Sequence, residues 1–211
     1  MDKVIHVFHG FLGSPDDFSF LKREGVLIHD LYSMDQFPQI NCDDTLIGYS
    51  LGGRIALEIA SEKKFKFNKL ILLNSHPGLT DLEEKIHRAE FETQIINQLK
   101  SMPCGDFIEY WNSLPIFFHD RPIHITQERY NKSADLFDRY RLSNQKYYLP
   151  EMILHKNKIL YLVGLFDEKY MDLANEVLIP AEISVKGIPG GHRLFQQSDF
   201  LMQVLKSEGV L

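Results

Sequence analysis

Cysteine is scarce in this 211-residue chain: Cys42 and Cys104 are the only two. Two thiols can build neither a disulfide framework nor a cysteine-rich zinc centre, and they suit a reducing compartment. The nine histidines are scattered along the chain rather than set at ligand spacing, so neither a metal nor another cofactor is expected. No apolar run approaches the roughly 18 residues needed to cross a bilayer. Met1 is followed almost at once by the strand-like residues 4–8, which leaves no room for a signal peptide and points to a cytoplasmic protein. Basic charge is short as well. Against 29 Asp and Glu stand 23 Lys and Arg, a formal charge of -6, with no basic run to track a phosphate backbone. Nucleic acid is thus not an expected partner, a small molecule is, and the composition leaves homo-oligomer formation open.

What is present fits one globular domain spanning residues 1–211, with 44% hydrophobic and 25% charged residues and length enough for one substantial core. Short apolar runs at residues 4–8, 26–30, 45–47, 70–73, 159–163 and 181–185 read as strands. Ser14-Pro15-Asp16-Asp17 has the cap, first-turn proline and acidic residues that start a helix, which should run to about Lys22. Residues 51–63 and 194–207 read as two further helices, whereas residues 31–44 show no period and read as a connection. From about residue 80 to 148 the pattern turns helical, charged and aromatic, broken at Pro103, Pro115 and Pro122; this reads as a helical cap. Strands alternating with helices predict a mostly parallel sheet of about six strands covered on both faces, with sites at the strands' carboxyl ends.

The organising stretch is Gly48-Tyr49-Ser50-Leu51-Gly52-Gly53, between the strand at 45–47 and the helix at 51–63. A serine on a sharp strand-to-helix turn needs small residues two positions away on either side, and Gly48 and Gly52 supply them. A serine hydroxyl is a weak nucleophile or base near neutral pH, so Ser50 needs an imidazole to take its proton and a carboxylate to orient that imidazole. Asp167 follows the strand at 159–163 and His192 follows the next one, giving Ser, Asp and His in chain order behind successive strands. Taken singly, Asp167 could equally be a helix cap and His192 an exposed loop residue. The amides of Leu51 and Phe11 are the candidates for an oxyanion hole. His9, beside them, is read as a structural residue that hydrogen-bonds loop backbone, with a second catalytic histidine as the alternative.

His9-Gly10-Phe11-Leu12-Gly13-Ser14, the elbow through Arg54, His76-Pro77-Gly78-Leu79, Trp111 with Pro115-Ile116-Phe117, residues 163–170 and Gly191-His192 together resemble the α/β-hydrolase superfamily. More narrowly they are similar to the SHCHC synthase family, the 2-succinyl-6-hydroxy-2,4-cyclohexadiene-1-carboxylate synthases of menaquinone biosynthesis, over nearly the whole chain. That resemblance implies an α/β-hydrolase fold and a lyase that abstracts a proton and eliminates pyruvate from a cyclohexene bearing several carboxylates. It implies a basic pocket in which Arg54, Arg88 and Arg129 bind carboxylates, with Tyr49 and Trp111 lining it. Guanidinium forks suit planar carboxylates. Arg54 and Arg88 could instead pair with Glu58, Glu84 or Glu92 on helix surfaces. The same three catalytic groups would serve a serine esterase or thioesterase working through an acyl-enzyme, and a noncatalytic binding protein on the same scaffold is a third reading. The chain departs from the family between Asp30 and Asp44, where a Gly-His-Gly turn and a helix are missing, and again near residues 144–150. A missing helix would bare one sheet face unless the connection or a partner chain covers it.

Overall fold

The computed structural model describes residues 3–211. Its strands are β1 (Ile5–Phe8), β2 (Val26–His29), β3 (Thr45–Tyr49), β4 (Lys69–Leu73), β5 (Ile159–Gly164) and β6 (Ser184–Ile188). Its helices are α1 (Leu51–Glu62), α2 (Leu82–Ser101), α3 (Cys104–Asn112), α4 (Gln127–Arg139), α5 (Leu149–Leu154), α6 (Glu168–Leu173) and α7 (Ser198–Ser207). The strands form one sheet in the order β2-β1-β3-β4-β5-β6, every neighbouring pair parallel. The chain leaves β1 toward one edge and returns past it to β3, so strand order reverses between β1 and β3. That reversal opens a crevice at their carboxyl ends, where the loop after β1 faces the turn after β3.

Alternate side chains of each strand point to opposite faces. Phe8, Leu46, Leu70, Leu72, Tyr161 and Val163 pack with α1 on one face, while Val7, Ile47, Ile71, Leu73 and Leu162 pack with α7 and the segment around Phe18 on the other. β1, β3 and β5 are buried along their whole length, which is why they read as continuous apolar runs rather than alternating ones. Full burial of Phe8 or Leu70 is worth about 2 kcal/mol each.

The connection at 30–44 holds no helix, yet the sheet face is not bare. Leu31 and Ile40 are buried there, and Tyr32, Met34 and Phe37 pack against the same core as α1. The elements depart from the sequence reading in several places. β6 begins at Ser184 rather than 181, because Ala181 and Glu182 close a turn in which Glu182 takes φ 59°. Residues 15–21 form a tight 3-10 helix capped reciprocally by Ser14 and Asp17, and the last helix splits into a 3-10 turn at Leu194–Gln196 followed by α7.

Between β4 and β5 lie α2, α3, α4 and α5. The first three enclose a core of their own, with Ile95, Leu99, Phe107, Trp111, Tyr130 and Phe137 packed together, and Leu12 from the loop after β1 joins it. α5 instead places Met152 in the core beside α1. The α2–α4 layer thus sits over the crevice like a roof, touching the sheet unit through Phe11 and Leu12.

Candidate functional site

Ser50 stands at the turn from β3 into α1 with φ 51° and ψ -113°, a conformation that strains a non-glycine residue by about 1–3 kcal/mol. Its amide donates to the Leu73 carbonyl at 2.9 Å, and its carbonyl accepts from the Ser75 hydroxyl at 3.0 Å, so the strained turn is held from the adjacent β4. A Cβ on Gly48 would run into the backbone of Gly52 and Gly53, and one on Gly52 into the carbonyls of Phe8 and His9. Both glycines are there because two backbones pass too closely for any side chain.

The His192 ring lies between this hydroxyl and Asp167. Nδ1 is 2.6 Å from Asp167 Oδ2 and Nε2 is 3.1 Å from Ser50 Oγ. An acceptor-only carboxylate at Nδ1 fixes the proton there, which leaves Nε2 free to accept from the serine. Asp167 and His192 are both only 3% exposed. Tyr170, Tyr49 and Phe117 pack around the imidazole with ring centroids at 4.9, 5.5 and 5.6 Å. Asp167 also caps α6, its carboxylate facing the Tyr170 amide. Asp167 thus stands both as the cap of α6 and as the carboxylate against His192 Nδ1.

Phe11 and Leu51 line the same cavity as Ser50. Leu51 opens α1, where first-turn amides have no partner within the helix and point toward developing negative charge. His9 is fully buried: Nδ1 contacts the Gly10 carbonyl at 2.8 Å and Nε2 accepts the Leu31 amide at 3.1 Å. That is the backbone-holding role read from the sequence.

The cavity measures about 260 Å³, and its rim gathers Arg54, Arg88 and Lys169 beside Ser50, His192 and Trp111. The Arg54 guanidinium meets only neutral acceptors, the Tyr140 carbonyl at 2.8 Å and Gln145 Oε1 at 3.4 Å. Burial, aided by the charge of Arg88, brings its pKa down to about 10. Lys169, although open to solvent, is lowered too, by the protein packed around it and by the charge of Arg88. His76, half-buried, is pushed down to about 3 by desolvation first and then by the charges of Lys169, Arg54 and Arg88. Arg88 does pair with Glu92 at 2.9 Å, but that buried carboxylate also accepts from Leu142 N and Ser143 Oγ at 2.7 Å each. Arg54, Arg88 and Lys169 thus gather at one small cavity, and the charge of Arg88 lowers both Arg54 and Lys169.

Two of the expected pocket residues stand elsewhere. Arg129 forms a two-pronged pair with Asp30 at 2.9 and 2.7 Å, tying α4 to the connection after β2, and it does not line the cavity at Ser50. The Asp30 carboxylate, held well below the usual range by His9 and by Arg129, provides the fork's partner and draws it away. Tyr49 borders a narrow chamber that shares Ser50, Trp111 and His192 with this cavity, without lining the cavity itself. Lys169 and Asn74 were not singled out in the sequence. Lys169 lies two residues after Asp167, which puts it on the first turn of α6, beside the cavity. Asn74 is completely buried at φ 42°, donates to the carbonyls of Gly191 (3.2 Å) and His192 (2.9 Å), and accepts the Gly164 amide at 3.1 Å. One side chain thus binds the loops that carry Asp167 and His192, and only the asparagine just past a buried strand hints at it.

Among the described residues no group of three or more His, Cys, Asp or Glu could hold a metal ion, and no helix is long and apolar enough to cross a membrane.

No protein-family model matches the chain. Among solved structures, MenH from S. aureus superposes with a TM-score of 0.78 at 22% identity, covering 99% of this chain and 96% of that one. A thermophilic esterase from Thermogutta terrifontis follows the same path at a TM-score of 0.64 and 15% identity, covering 98% of this chain and 89% of that one. The chain has the α/β-hydrolase fold. In sequence, the chain is similar to the 2-succinyl-6-hydroxy-2,4-cyclohexadiene-1-carboxylate synthase of Photorhabdus laumondii, 27% identical over 156 residues, 70% of this chain and 56% of the relative. The corresponding synthase from Enterobacter is 26% identical over 155 residues, 70% of this chain and 60% of the relative. The match therefore spans less than two thirds of the length of these curated relatives.

Proposed function

We propose that this protein is a SHCHC synthase-type lyase acting on a small carboxylate-rich substrate in the cytoplasm. The observation that carries the reading is the placement of Arg54, Arg88 and Lys169 on the cavity that holds Ser50. An apolar acyl pocket has no use for three cations, whereas a substrate bearing several carboxylates would relieve their repulsion and give Arg54 a charged partner. The similarity to the synthases of Photorhabdus and Enterobacter supports the same reading.

In this mechanism the cations fix the substrate's carboxylates and aim its acidic C–H bond at Ser50 Oγ. His192 Nε2 takes the serine proton, Asp167 steadies the resulting imidazolium, and Ser50 Oγ takes the substrate proton. The C–H electron pair becomes an enolate whose oxygen faces the amides of Phe11 and Leu51. Collapse of that enolate forms the ring double bond and breaks the C–O bond to the departing three-carbon fragment. That fragment leaves as the enolate of pyruvate and takes up at its terminal carbon the proton held on His192, which restores neutral Ser50 and His192.

A second reading is favoured by one observation: the turn at Ser50 exposes the hydroxyl as an esterase would, and the fold is shared with an esterase. Incubation of the pure protein with the cyclohexene precursor and, separately, with short p-nitrophenyl esters separates the two. Pyruvate release that disappears in Ser50→Ala supports the lyase; ester turnover without pyruvate release replaces it with the hydrolase.

A further inference from the structure

Beyond the Ser50–His192–Asp167 set lies a buried arginine with no assigned task. Arg193, immediately after His192, is 2% exposed, and its guanidinium meets no carboxylate head-on. Nη1 donates to the Arg121 carbonyl at 2.8 Å, Nη2 donates to Asn112 Oδ1 at 2.8 Å, and the guanidinium carbon sits 4.0 Å above the centre of the Phe117 ring. All of these partners belong to the cap: Asn112 ends α3, and Phe117 and Arg121 lie in the stretch that joins α3 to α4. The cap answers through Asp120, whose Oδ2 accepts the Arg193 amide at 3.1 Å.

The peptide group that follows His192 is therefore gripped at both ends. Its carbonyl accepts from Asn74 Nδ2 at 2.9 Å, on the sheet side, and its N–H donates to Asp120, on the cap side. Arg193 itself is the centre of an inverse γ-turn, with φ -82°, ψ 67° and a 2.9 Å bond from Leu194 N back to the His192 carbonyl. Such a turn leaves the backbone at His192 little slack, and Asp120 is the cap's hydrogen bond to it. Gln196 completes the attachment by exchanging two bonds with the Arg121 backbone at 2.9 Å. Phe117 joins the two parts, since the ring beneath Arg193 also packs edge-on against His192 and borders the cavity.

We propose that Asp120 and Arg193 are positioning residues, a latch through which the cap holds His192 in register with Ser50 and Asp167. Neither touches the reacting atoms. They act through the His192 peptide, so proton transfer at Ser50 requires the cap to be seated. This inference rests on Ser50 and His192 being the reacting pair, and not on the identity of the substrate. A displacement of about 1 Å in such a group can lower a rate by 100-fold.

The test uses the full chain with Asp120→Ala, Asp120→Asn, Arg193→Met and Arg193→Lys. The first readout is the downfield proton resonance of the His192 Nδ1–H···Asp167 bond, which needs no substrate. The second is kcat and KM on whichever substrate the parent turns over. The latch predicts that Asp120→Ala and Arg193→Met broaden or shift the resonance and lower kcat 10- to 100-fold with KM within twofold. Asp120→Asn recovers most of the loss, because its amide oxygen can still accept the Arg193 N–H. The double variant Asp120→Ala/Arg193→Met is no slower than the slower single variant. Should Arg193→Met fail to fold, Arg193→Lys keeps the charge without the fork and is expected to lose at least 5-fold in kcat. A resonance unchanged in folded Asp120→Ala and Arg193→Met protein, or kcat within twofold of the parent, overturns the latch. A parent that releases no pyruvate but shows the resonance and its dependence on Asp120 overturns the lyase reading and leaves the latch standing.

Discussion

Replacing Arg54 by methionine should separate stability from activity, and the structure gives the size of both effects. Methionine keeps much of the side chain's apolar length and removes only the guanidinium. With its pKa brought from 12.5 to about 10 by burial and by Arg88, the charged form of Arg54 is disfavoured by folding. The sign follows directly: a cation whose folded pKa lies below its unfolded one destabilises the fold at every pH below that folded value. Discounted for its partial contact with solvent, the penalty is on the order of 2 kcal/mol at neutral pH. The two hydrogen bonds to Tyr140 and Gln145 return about 1 kcal/mol each. The variant should therefore unfold in urea within about 1 kcal/mol of the parent. Activity behaves differently, because a charge-assisted bond to a substrate carboxylate is worth roughly 1.5–3 kcal/mol, or about 10- to 150-fold in kcat/KM. Parallel measurements of pyruvate release and of p-nitrophenyl acetate hydrolysis check this, with any ester turnover expected to fall less than threefold. Equal losses on the two substrates would refute the assignment of Arg54 to a carboxylate, as would a stability loss above about 2 kcal/mol with activity intact.

Gly52→Ala should destabilise by at least about 3 kcal/mol, read by thermal melting, because its new Cβ would meet the immobile carbonyls of Phe8 and His9. Asn74→Ala removes two donated bonds and one accepted bond in a fully buried place, and a loss of about 2–4 kcal/mol with a parallel fall in kcat is expected. His29, half-buried against His6, has its pKa lowered to about 4 by burial and then by His6. Its folded pKa lies below the unfolded value near 6.5, so the stability tied to its neutral form is full above pH 6.5 and is lost as pH falls toward 4. Urea denaturation from pH 7 to 4 should show a stability slope that His29→Asn reduces; an unchanged slope would assign it to other groups.

Much of the site was legible because its parts obey local rules. Gly48, Ser50 and Gly52 announce a turn that only small neighbours permit, and Asp167 and His192 fall past runs that read as strands, the first buried throughout and the second a largely open edge strand. The same logic gave the parallel sheet. Boundaries blurred where turns compete with strands, as at Ala181 and Glu182, whose side chains suit a strand but whose backbone closes a turn. What sequence spacing cannot show is which partner a long charged side chain chooses. Arg129 was expected at the cavity and instead takes Asp30, 99 residues away, while Lys169 went unremarked and reaches it. Arg88 meets both expectations at once, pairing with Glu92 while bordering the cavity. Asn74 was illegible for the same reason: its three bonds join loops about 90 to 118 residues distant, and no local pattern encodes them.

The central claim is that Ser50 works as a base rather than as an acyl nucleophile. Intact-protein mass spectrometry during rapid-quench turnover tests it most directly, with pyruvate measured in the same samples. The account predicts pyruvate formed one-for-one with the diene product and no mass added to the protein at any time point. An adduct on Ser50 that rises and decays with turnover, absent in Ser50→Ala, would contradict it.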